Sequence, residues 1–152
     1  MSSADAAEVA EWRYEEPWTV YDGDGTPPDI DDYWAVVDHD EQVVGFYCVG
    51  PEARVPGLDR QPDTLDLGVG MRPDLVGAGN GREFANAVMA HCRQSRREER
   101  VRAVVQSWNQ RSLRLAASLG FQVAGTHACV QDGKTVTYTV LLAYLHPGVS
   151  AG

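Results

Sequence analysis

Cysteine and long apolar stretches are both scarce in this sequence, and each shortage excludes a class of protein. The cysteines are Cys48, Cys92 and Cys129, with no CxxC pair among them. A small, odd number of cysteines argues against a disulfide framework, so we predict buried thiols in a cytoplasmic protein. No window approaches the roughly 20 apolar residues that a membrane-spanning helix needs. The N-terminus lacks the basic and apolar regions of a signal peptide, so we expect none.

Metal-ligand patterns and basic stripes are also missing. The four histidines have no ligand spacing, so we expect no metal. The net charge is −9, and residues 1–32 account for it with ten acids and one base. Nucleic-acid binding requires a basic stripe, so we exclude DNA and RNA as partners. We expect no membrane partner either.

The chain length of 152 residues suits a single domain. A chain of this size buries roughly 70% of its unfolded surface, which is enough for a substantial core. The apolar content of 43% also argues against global disorder. We therefore predict one domain over residues 1–146 and a frayed tail over residues 147–152.

Apolar periodicity and turn residues predict the order of the elements. The predicted elements are a helix over 5–12 capped by Asp5, a hairpin of strands 33–37 and 43–49, a loop over 50–63, a strand over 64–71, a helix over 79–97, a strand over 102–108, an amphipathic helix through Ser112 and Leu115 that ends at Gly120, and a hairpin of strands 122–129 and 135–142 around Asp132-Gly133. This order predicts an α/β (α+β) fold with a mixed sheet of about six strands and helices on both faces.

A glycine-rich segment joins the third strand to the helix that follows it. It consists of Val76, Gly77, Ala78, Gly79, Asn80, Gly81 and Arg82. Alternate glycines let the main chain approach a bulky anion, and the unpaired N–H groups of a helix start can bind it. A flexible turn and a Rossmann dinucleotide site are the alternatives. The Rossmann spacing is G-x-G-x-x-G, which differs from the spacing here, and no Gly-Lys-Ser/Thr follows as in a P-loop.

Two motifs in this order carry a family resemblance. The segment DLGVGMRP over 66–73, followed by Gly77-x-Gly79-x-Gly81, resembles the coenzyme-binding motif of the GNAT superfamily of acyl-CoA-dependent N-acetyltransferases. Further on, the segment NQRSLRLAASLGF over 109–121 resembles the second motif of that superfamily, an Asn-led helix that ends in Gly-Phe. The resemblance covers about residues 33–142.

The resemblance implies how acetyl-CoA, the co-substrate, binds. Its pantetheine would lie along Val69, Gly70, Met71 and Arg72 like an added strand, and its thioester would occupy a gap between two splayed parallel strands. A main-chain N–H close to Met71 would stabilise the oxyanion. The resemblance also implies a contact from Asn109 to the pantetheine arm and places Ser112 in the coenzyme site. Four arginines could surround the phosphates or could instead be solvated surface residues, namely Arg72, Arg82, Arg111 and Arg114.

Three departures from the family pattern stand out. Val76 occupies a position where the family usually has Gln or Arg, so main-chain amides would have to hold the pyrophosphate. Ala116 occupies the position of a tyrosine that protonates the departing thiolate in many members. A first strand before the initial helix is usual in the family, and only residues 1–4 could form it here.

The acceptor amine must lose a proton, and Asp66 is our first candidate for the general base. A carboxylate in an apolar central strand must be paired or have a raised pKa. Both conditions are common at catalytic sites, but a structural hydrogen bond to a neighbouring loop explains Asp66 as well. Tyr47 and Ser107 are reserve candidates.

The acidic N-terminal segment suggests the acceptor. Its carboxylates are interleaved with aromatic residues, namely Trp12, Tyr14, Trp18, Tyr21, Tyr33 and Trp34. Carboxylates and aromatic faces attract cations, so we predict a primary amine on a cationic small molecule or peptide. A solvated acidic face over an aromatic minicore is the alternative. For the whole protein, the alternatives are an acyl-CoA-binding regulator or sensor without turnover and a nicotinamide-dependent enzyme. A homodimer is left open.

Overall fold

The computed structural model describes residues 1–14, 33–75 and 81–146. Its helices and strands, in chain order, are α1 (Ser3–Ala10), β1 (Tyr33–Val37), β2 (Val43–Val49), β3 (Thr64–Met71), α2 (Gly81–Ser95), β4 (Arg100–Gln106), α3 (Gln110–Ser118), β5 (Gln122–Gln131) and β6 (Lys134–Tyr144). Two short 3-10 turns cover Gly50–Ala53 and Pro73–Leu75.

The strands form one mixed sheet in the order β1-β2-β3-β4-β6-β5. The β3–β4 pair is parallel, and the other four pairs are antiparallel. A parallel pair needs a crossover, and α2 supplies it between β3 and β4. This architecture confirms the predicted α/β fold with a six-stranded mixed sheet.

Helices cover both faces of the sheet. On one face α2 buries residues four apart, Phe84, Val88 and Cys92, against β3 and β4 in the main core. Helix α3 packs against the same core through its apolar stripe. On the opposite face Trp12, just after α1, contacts Phe46 of β2 at a ring distance of 6.0 Å. We call these the α2 face and the α1 face.

The first helix begins earlier than predicted, and Asp5 is not its N-cap. Ser2 caps the helix and its hydroxyl accepts from the Asp5 N–H at 3.1 Å, while the Asp5 carboxylate accepts from the Ser2 N–H at 3.1 Å. This reciprocal capping box satisfies two main-chain donors at once, which a cap at Asp5 would not do. Because Ser3 already belongs to α1, no strand precedes it in the described chain.

Other boundaries shift because strand pairing decides them. β4 spans Arg100–Gln106 instead of 102–108, since it pairs with β6 from Arg100↔Tyr144 to Gln106↔Tyr138. The final hairpin is longer than predicted, and its turn residues Asp132 and Gly133 both have positive φ, as a tight hairpin turn requires. Gly120 has φ +93 after α3, which confirms the predicted left-handed helix end.

Several predictions fall partly outside the described residues. The helix predicted over 79–97 is described from Gly81 to Ser95, and residues 79–80 and the tail 147–152 lie outside the described ranges.

Of the three thiols, those of Cys48 and Cys92 are buried, as predicted, whereas Cys129 is only partly buried. None of the helices within the described ranges combines the length and apolar character needed to cross a membrane.

Candidate active site

The two parallel strands separate half-way along their length. β3 pairs with β4 only at Thr64↔Arg100, Leu65↔Val101 and Asp66↔Arg102. Both strands continue, to Met71 and to Gln106 respectively, without further pairing between them. A gap therefore opens between β3 and β4 beyond Asp66, as the family resemblance implied.

The main chain of β3 directs hydrogen-bonding groups into this gap. The Asp63 carbonyl accepts from the Arg100 N–H at 3.0 Å, on the β4 side, whereas the Arg72 N–H donates to the Val44 carbonyl at 2.8 Å, on the β2 side. Because main-chain groups alternate sides along a strand, those of Leu67, Val69 and Met71 face the gap. This edge offers an added strand a place to pair.

The side chain of Val69 confirms that the gap is open. Val69 lies on the same face of β3 as Leu65 and Leu67, which are buried at 2% and 7% exposure. Val69 itself is 54% exposed. The α2 face of β3 is therefore accessible at Val69, whereas Met71 beyond it still packs partly against the core.

The end of β3 contacts the N-terminal segment. The Tyr14 hydroxyl donates to the Met71 carbonyl at 2.7 Å, although the two residues are 57 positions apart in sequence. Since α1 and Trp12 cover the α1 face, Tyr14 reaches the gap from that side. The sequence marked Tyr14 only as one aromatic residue among six, and no local pattern pairs it with Met71.

The start of α2 packs against the middle of α3. Gly81 is the first residue of α2, and a Cβ there would lie 3.2 Å from Leu115 of α3. Arg82 in the first turn is exposed. Of the predicted pyrophosphate loop, residues 76–80 lie outside the described residues, so the anion site at this loop stays a prediction.

Asn109 has a structural role that its sequence position did not reveal. Its side chain is buried at 3% exposure and accepts from the Ser112 N–H at 3.2 Å, so it is the N-cap of α3. Ser112 is partly buried, and Arg111 and Arg114 are exposed. The implied contacts of these four residues to coenzyme A stay predictions.

The Arg72 side chain is engaged by two neighbouring residues in this structure. Its Nε donates to Asp74 at 2.6 Å and its Nη1 donates to the Val43 carbonyl at 3.3 Å. The hydrogen bond to Asp74 raises the pKa of the guanidinium further above its ordinary value. An anion would have to compete with Asp74 for this side chain.

Asp66 belongs to a buried ion cluster. Its two oxygens accept separately from Arg102 Nε at 2.6 Å and from Arg54 Nε at 2.7 Å. Arg102 also donates to the Asp59 carbonyl at 2.7 Å, which ties the 50–63 loop to the sheet. Protonating this carboxylate would break two charge-assisted hydrogen bonds in a dry environment. The geometry thus favours the structural alternative over a general base.

Tyr47 is equally unsuited to accept a proton near neutral pH. It is 5% exposed, and burial raises its pKa to about 12. Its hydroxyl contacts His91 Nδ1, and its ring stacks on Trp34 at 5.2 Å. These residues line a crevice of about 260 Å³ between β1 and α2, on the outer side of the α2 face.

Ser107 directly follows β4, which borders the gap, whereas Tyr138 lies on β6, one strand further away. Ser107 Oγ and Thr139 Oγ1 share a hydrogen bond of 2.9 Å. On the opposite face the buried Tyr138 donates to Gln131 at 2.8 Å, and burial raises its pKa. Ser107 stays a reserve candidate. A hydroxyl can act as a general base only when a neighbouring base takes its proton, and Thr139 is not such a group.

The aromatic residues near the N-terminus lie on different faces of the sheet. The rings of Trp12 and Tyr33 pack against that of Phe46 at centroid distances of 6.0 and 5.7 Å. These two residues therefore form the aromatic minicore that the sequence left as the alternative. Trp34 lies on the α2 face. Trp18, Tyr21 and the acids of residues 15–32 lie outside the described residues. Within the described ranges, no group of three or more His, Cys, Asp or Glu side chains could hold a metal ion.

The mixed sheet and the separation of β3 and β4 agree with the fold that the two sequence motifs implied. A family model described as an acetyltransferase (GNAT) domain matches residues 1–122. The chain therefore belongs to the GNAT acetyltransferase family, and it is an acetyl-CoA-dependent N-acetyltransferase with acetyl-CoA as its co-substrate. A comparison with curated proteins found no significant match.

Solved structures share this fold at low sequence identity. A phosphinothricin acetyltransferase from Sinorhizobium meliloti in complex with AcCoA is 16% identical with a TM-score of 0.68, and the match covers 100% of this chain and 89% of that one. The putative acetyltransferase yncA from Salmonella typhimurium, with its cofactor acetyl-CoA, is 24% identical with a TM-score of 0.56 (72% and 62% covered). A spermidine N-acetyltransferase SpeG chimera from Vibrio cholerae and hSSAT is 13% identical with a TM-score of 0.61 (74% and 68% covered).

Proposed function

We propose that this enzyme transfers an acetyl group from acetyl-CoA to a primary amine on a cationic small molecule or peptide. The observation that carries the proposal is the main-chain edge at Val69 and the Met71 N–H, which lie beyond the last paired position of β3 and β4 and face the open gap. This edge suits the amide-rich pantetheine arm of the coenzyme, which can hydrogen-bond to it as an added strand.

Acetyl-CoA would contact two elements, with its pyrophosphate at the start of α2 and its thioester beside β3. The pyrophosphate would occupy the 77–81 main chain at the start of α2, where unpaired N–H groups and Arg82 favour an anion. The thioester carbonyl would accept from the Met71 N–H, which faces the gap. One such donor is typically worth about 3 kcal/mol of transition-state stabilisation.

The acceptor would approach from the α1 face. Tyr14 reaches Met71 from that face, and the acidic residues directly follow Tyr14 in sequence. Ten acids against one base in residues 1–32 would attract a cationic amine and raise its local concentration. The spermidine N-acetyltransferase among the structural neighbours is consistent with such an acceptor.

Asp66 has no general-base role in this proposal. Its oxygens are engaged by Arg54 and Arg102 at the closed end of the gap, so it lies on the wrong side of the opening for the acceptor. The incoming ammonium would instead lose its first proton to solvent water within the acidic approach to the site.

Two measurements test the proposal. Calorimetric titration with coenzyme A should show binding, and release of free thiol should accompany acetylation of cationic amines such as spermidine, an aminoglycoside or a peptide with a basic end. Neutral and anionic amines of similar size are the matched controls. Binding of acetyl-CoA without thiol release above background hydrolysis, for every amine, would contradict turnover. Failure of coenzyme A to bind would remove the proposal altogether.

A further inference from the structure

We propose that Tyr14 is the catalytic residue that protonates the departing thiolate of coenzyme A. The inference rests on the proposed function, because it needs the thioester in the gap between β3 and β4. It assigns a proton donor to a reaction whose usual donor is missing here, since Ala116 stands at the family's tyrosine position.

The hydroxyl of Tyr14 lies at the gap itself. It donates to the Met71 carbonyl at 2.7 Å, and both main-chain groups of Met71 face the gap because Arg72 pairs with β2. The Met71 N–H, which would hold the thioester oxygen, therefore lies on the same strand edge as the bonded phenol. A sulfur attached to that thioester carbon would be a neighbour of Tyr14 Oη.

Other described hydroxyl groups are less well placed. Tyr47 contacts His91 of α2 in the crevice between β1 and α2. Tyr138 lies one strand beyond β4 and donates to Gln131. Ser107 shares its proton with Thr139 on the β4 wall. Ala116 packs against the core and offers no O–H group. Tyr14 is the phenol that the structure records against the β3 wall.

The Tyr14 hydroxyl gives one proton and takes one back in each reaction cycle. The amine enters neutral, its nitrogen bonds to the thioester carbon, and the tetrahedral intermediate collapses with cleavage of the C–S bond. Tyr14 gives its proton to the sulfur, which leaves as a thiol. The phenolate then takes the second proton that the new amide nitrogen must lose. Tyr14 is thus regenerated in each turnover.

The position of Tyr14 in the chain fits this role. It enters from the α1 face, the side from which the acceptor would come, whereas α2 lies on the opposite face. Tyr14 also immediately precedes the acidic residues 15–32. One short segment would therefore carry both acceptor attraction and the proton for the leaving group.

The experiment compares Tyr14→Phe with the matched control Tyr144→Phe, using acetyl-CoA and acetyl-seleno-CoA as donors. Tyr144 is 62% exposed and pairs with Arg100, at the end of the sheet away from the gap. We expect Tyr14→Phe to lower kcat with acetyl-CoA by about 100-fold, the low end for general acid catalysis. The loss should shrink strongly with acetyl-seleno-CoA, because a selenolate is a much weaker base and leaves without a proton. Coenzyme A affinity should stay unchanged, as should all parameters of Tyr144→Phe.

An equal loss of kcat with both donors would show a structural role and overturn the proposal, as would no loss with acetyl-CoA. A second variant carries a fluorinated tyrosine at position 14, which preserves the ring and the hydrogen bond to Met71. It should move the alkaline limb of the kcat profile to lower pH, and an unmoved limb would contradict the proposal. If the wild-type enzyme binds coenzyme A but acetylates no amine, the proposed function fails first, and this inference fails with it.

Discussion

Asp66 and Arg102 face each other at the last paired position of β3 and β4, and Arg102 Nε donates to Asp66 Oδ1 over 2.6 Å. Their side chains are only 4% and 2% exposed. Directly beyond this pair the two parallel strands separate. The ion pair therefore fixes the closed end of the gap, and Arg54 and the Asp59 carbonyl extend it into the 50–63 loop.

We expect Asp66→Asn to lower the free energy of unfolding by about 3 kcal/mol, because it leaves the buried Arg102 without a counter-charge. Denaturant unfolding checks this value. Asp74→Asn is the matched control, since it removes an ion pair whose carboxylate is 65% exposed and should cost less than about 1 kcal/mol. Unchanged stability of Asp66→Asn together with lost turnover would instead restore Asp66 as a general base.

Stability should decline at alkaline pH because of Tyr47. Burial raises its pKa from 10.0 to about 12, so the unfolded chain releases this proton before the folded one does. The stabilisation is complete below pH 10 and is lost as the pH rises towards about 12, by at most about 2.7 kcal/mol. Cys92, with a pKa raised to about 11, contributes in the same direction.

Unfolding measured at several alkaline pH values checks this decline. Tyr47→Phe should flatten the part that the phenol contributes, while the Cys92 part remains. The control is Tyr144→Phe, whose ring is largely exposed and should leave the profile unaltered. A Tyr47→Phe profile identical to that of the wild type would contradict the assignment.

Arg82 should bind the phosphates of the donor. We expect Arg82→Gln to weaken coenzyme A binding by about tenfold, equivalent to about 1.4 kcal/mol, because the first turn of α2 loses its fixed positive charge. Titrations with acetyl-CoA and with acetyl-pantetheine, which has no pyrophosphate, measure the effect. The truncated donor should be insensitive to the change. Arg97→Gln, beyond the other end of α2, is the control and should bind both donors normally.

Acceptor selection should depend on salt if the acidic segment attracts the substrate. We expect kcat/KM for a cationic amine to fall as ionic strength rises, since long-range attraction between exposed charges is screened. For a neutral amine kcat/KM should change little. Steady-state kinetics at low and high salt with both amines test this. Preference for neutral or anionic amines at every salt concentration would contradict a cationic acceptor.

Local sequence patterns predicted most of the fold. Apolar periodicity predicted the strands and the helix over 79–97, whose buried residues include Phe84, Val88 and Cys92. The Asp132-Gly133 pair predicted the final hairpin turn. These signals are local, because each depends on the preferences of neighbouring residues. The two motifs added the family and the parallel pair that opens into a gap. The boundaries of α1 and β4 were wrong by a few residues, since a capping box and pairing with β6 decided them.

What the amino-acid sequence determined by itself was the order of the elements, the family and the acyl donor that the family uses. Only the tertiary structure decided that the Asp66 carboxylate is buried against Arg102 and that the Tyr14 hydroxyl lies at Met71. The Asp66–Arg102 pair joins residues 36 positions apart, and the Tyr14–Met71 hydrogen bond joins residues 57 apart. Side chains so distant in sequence share no periodicity, so their meeting depends on how the sheet and the helices pack, which no local pattern encodes.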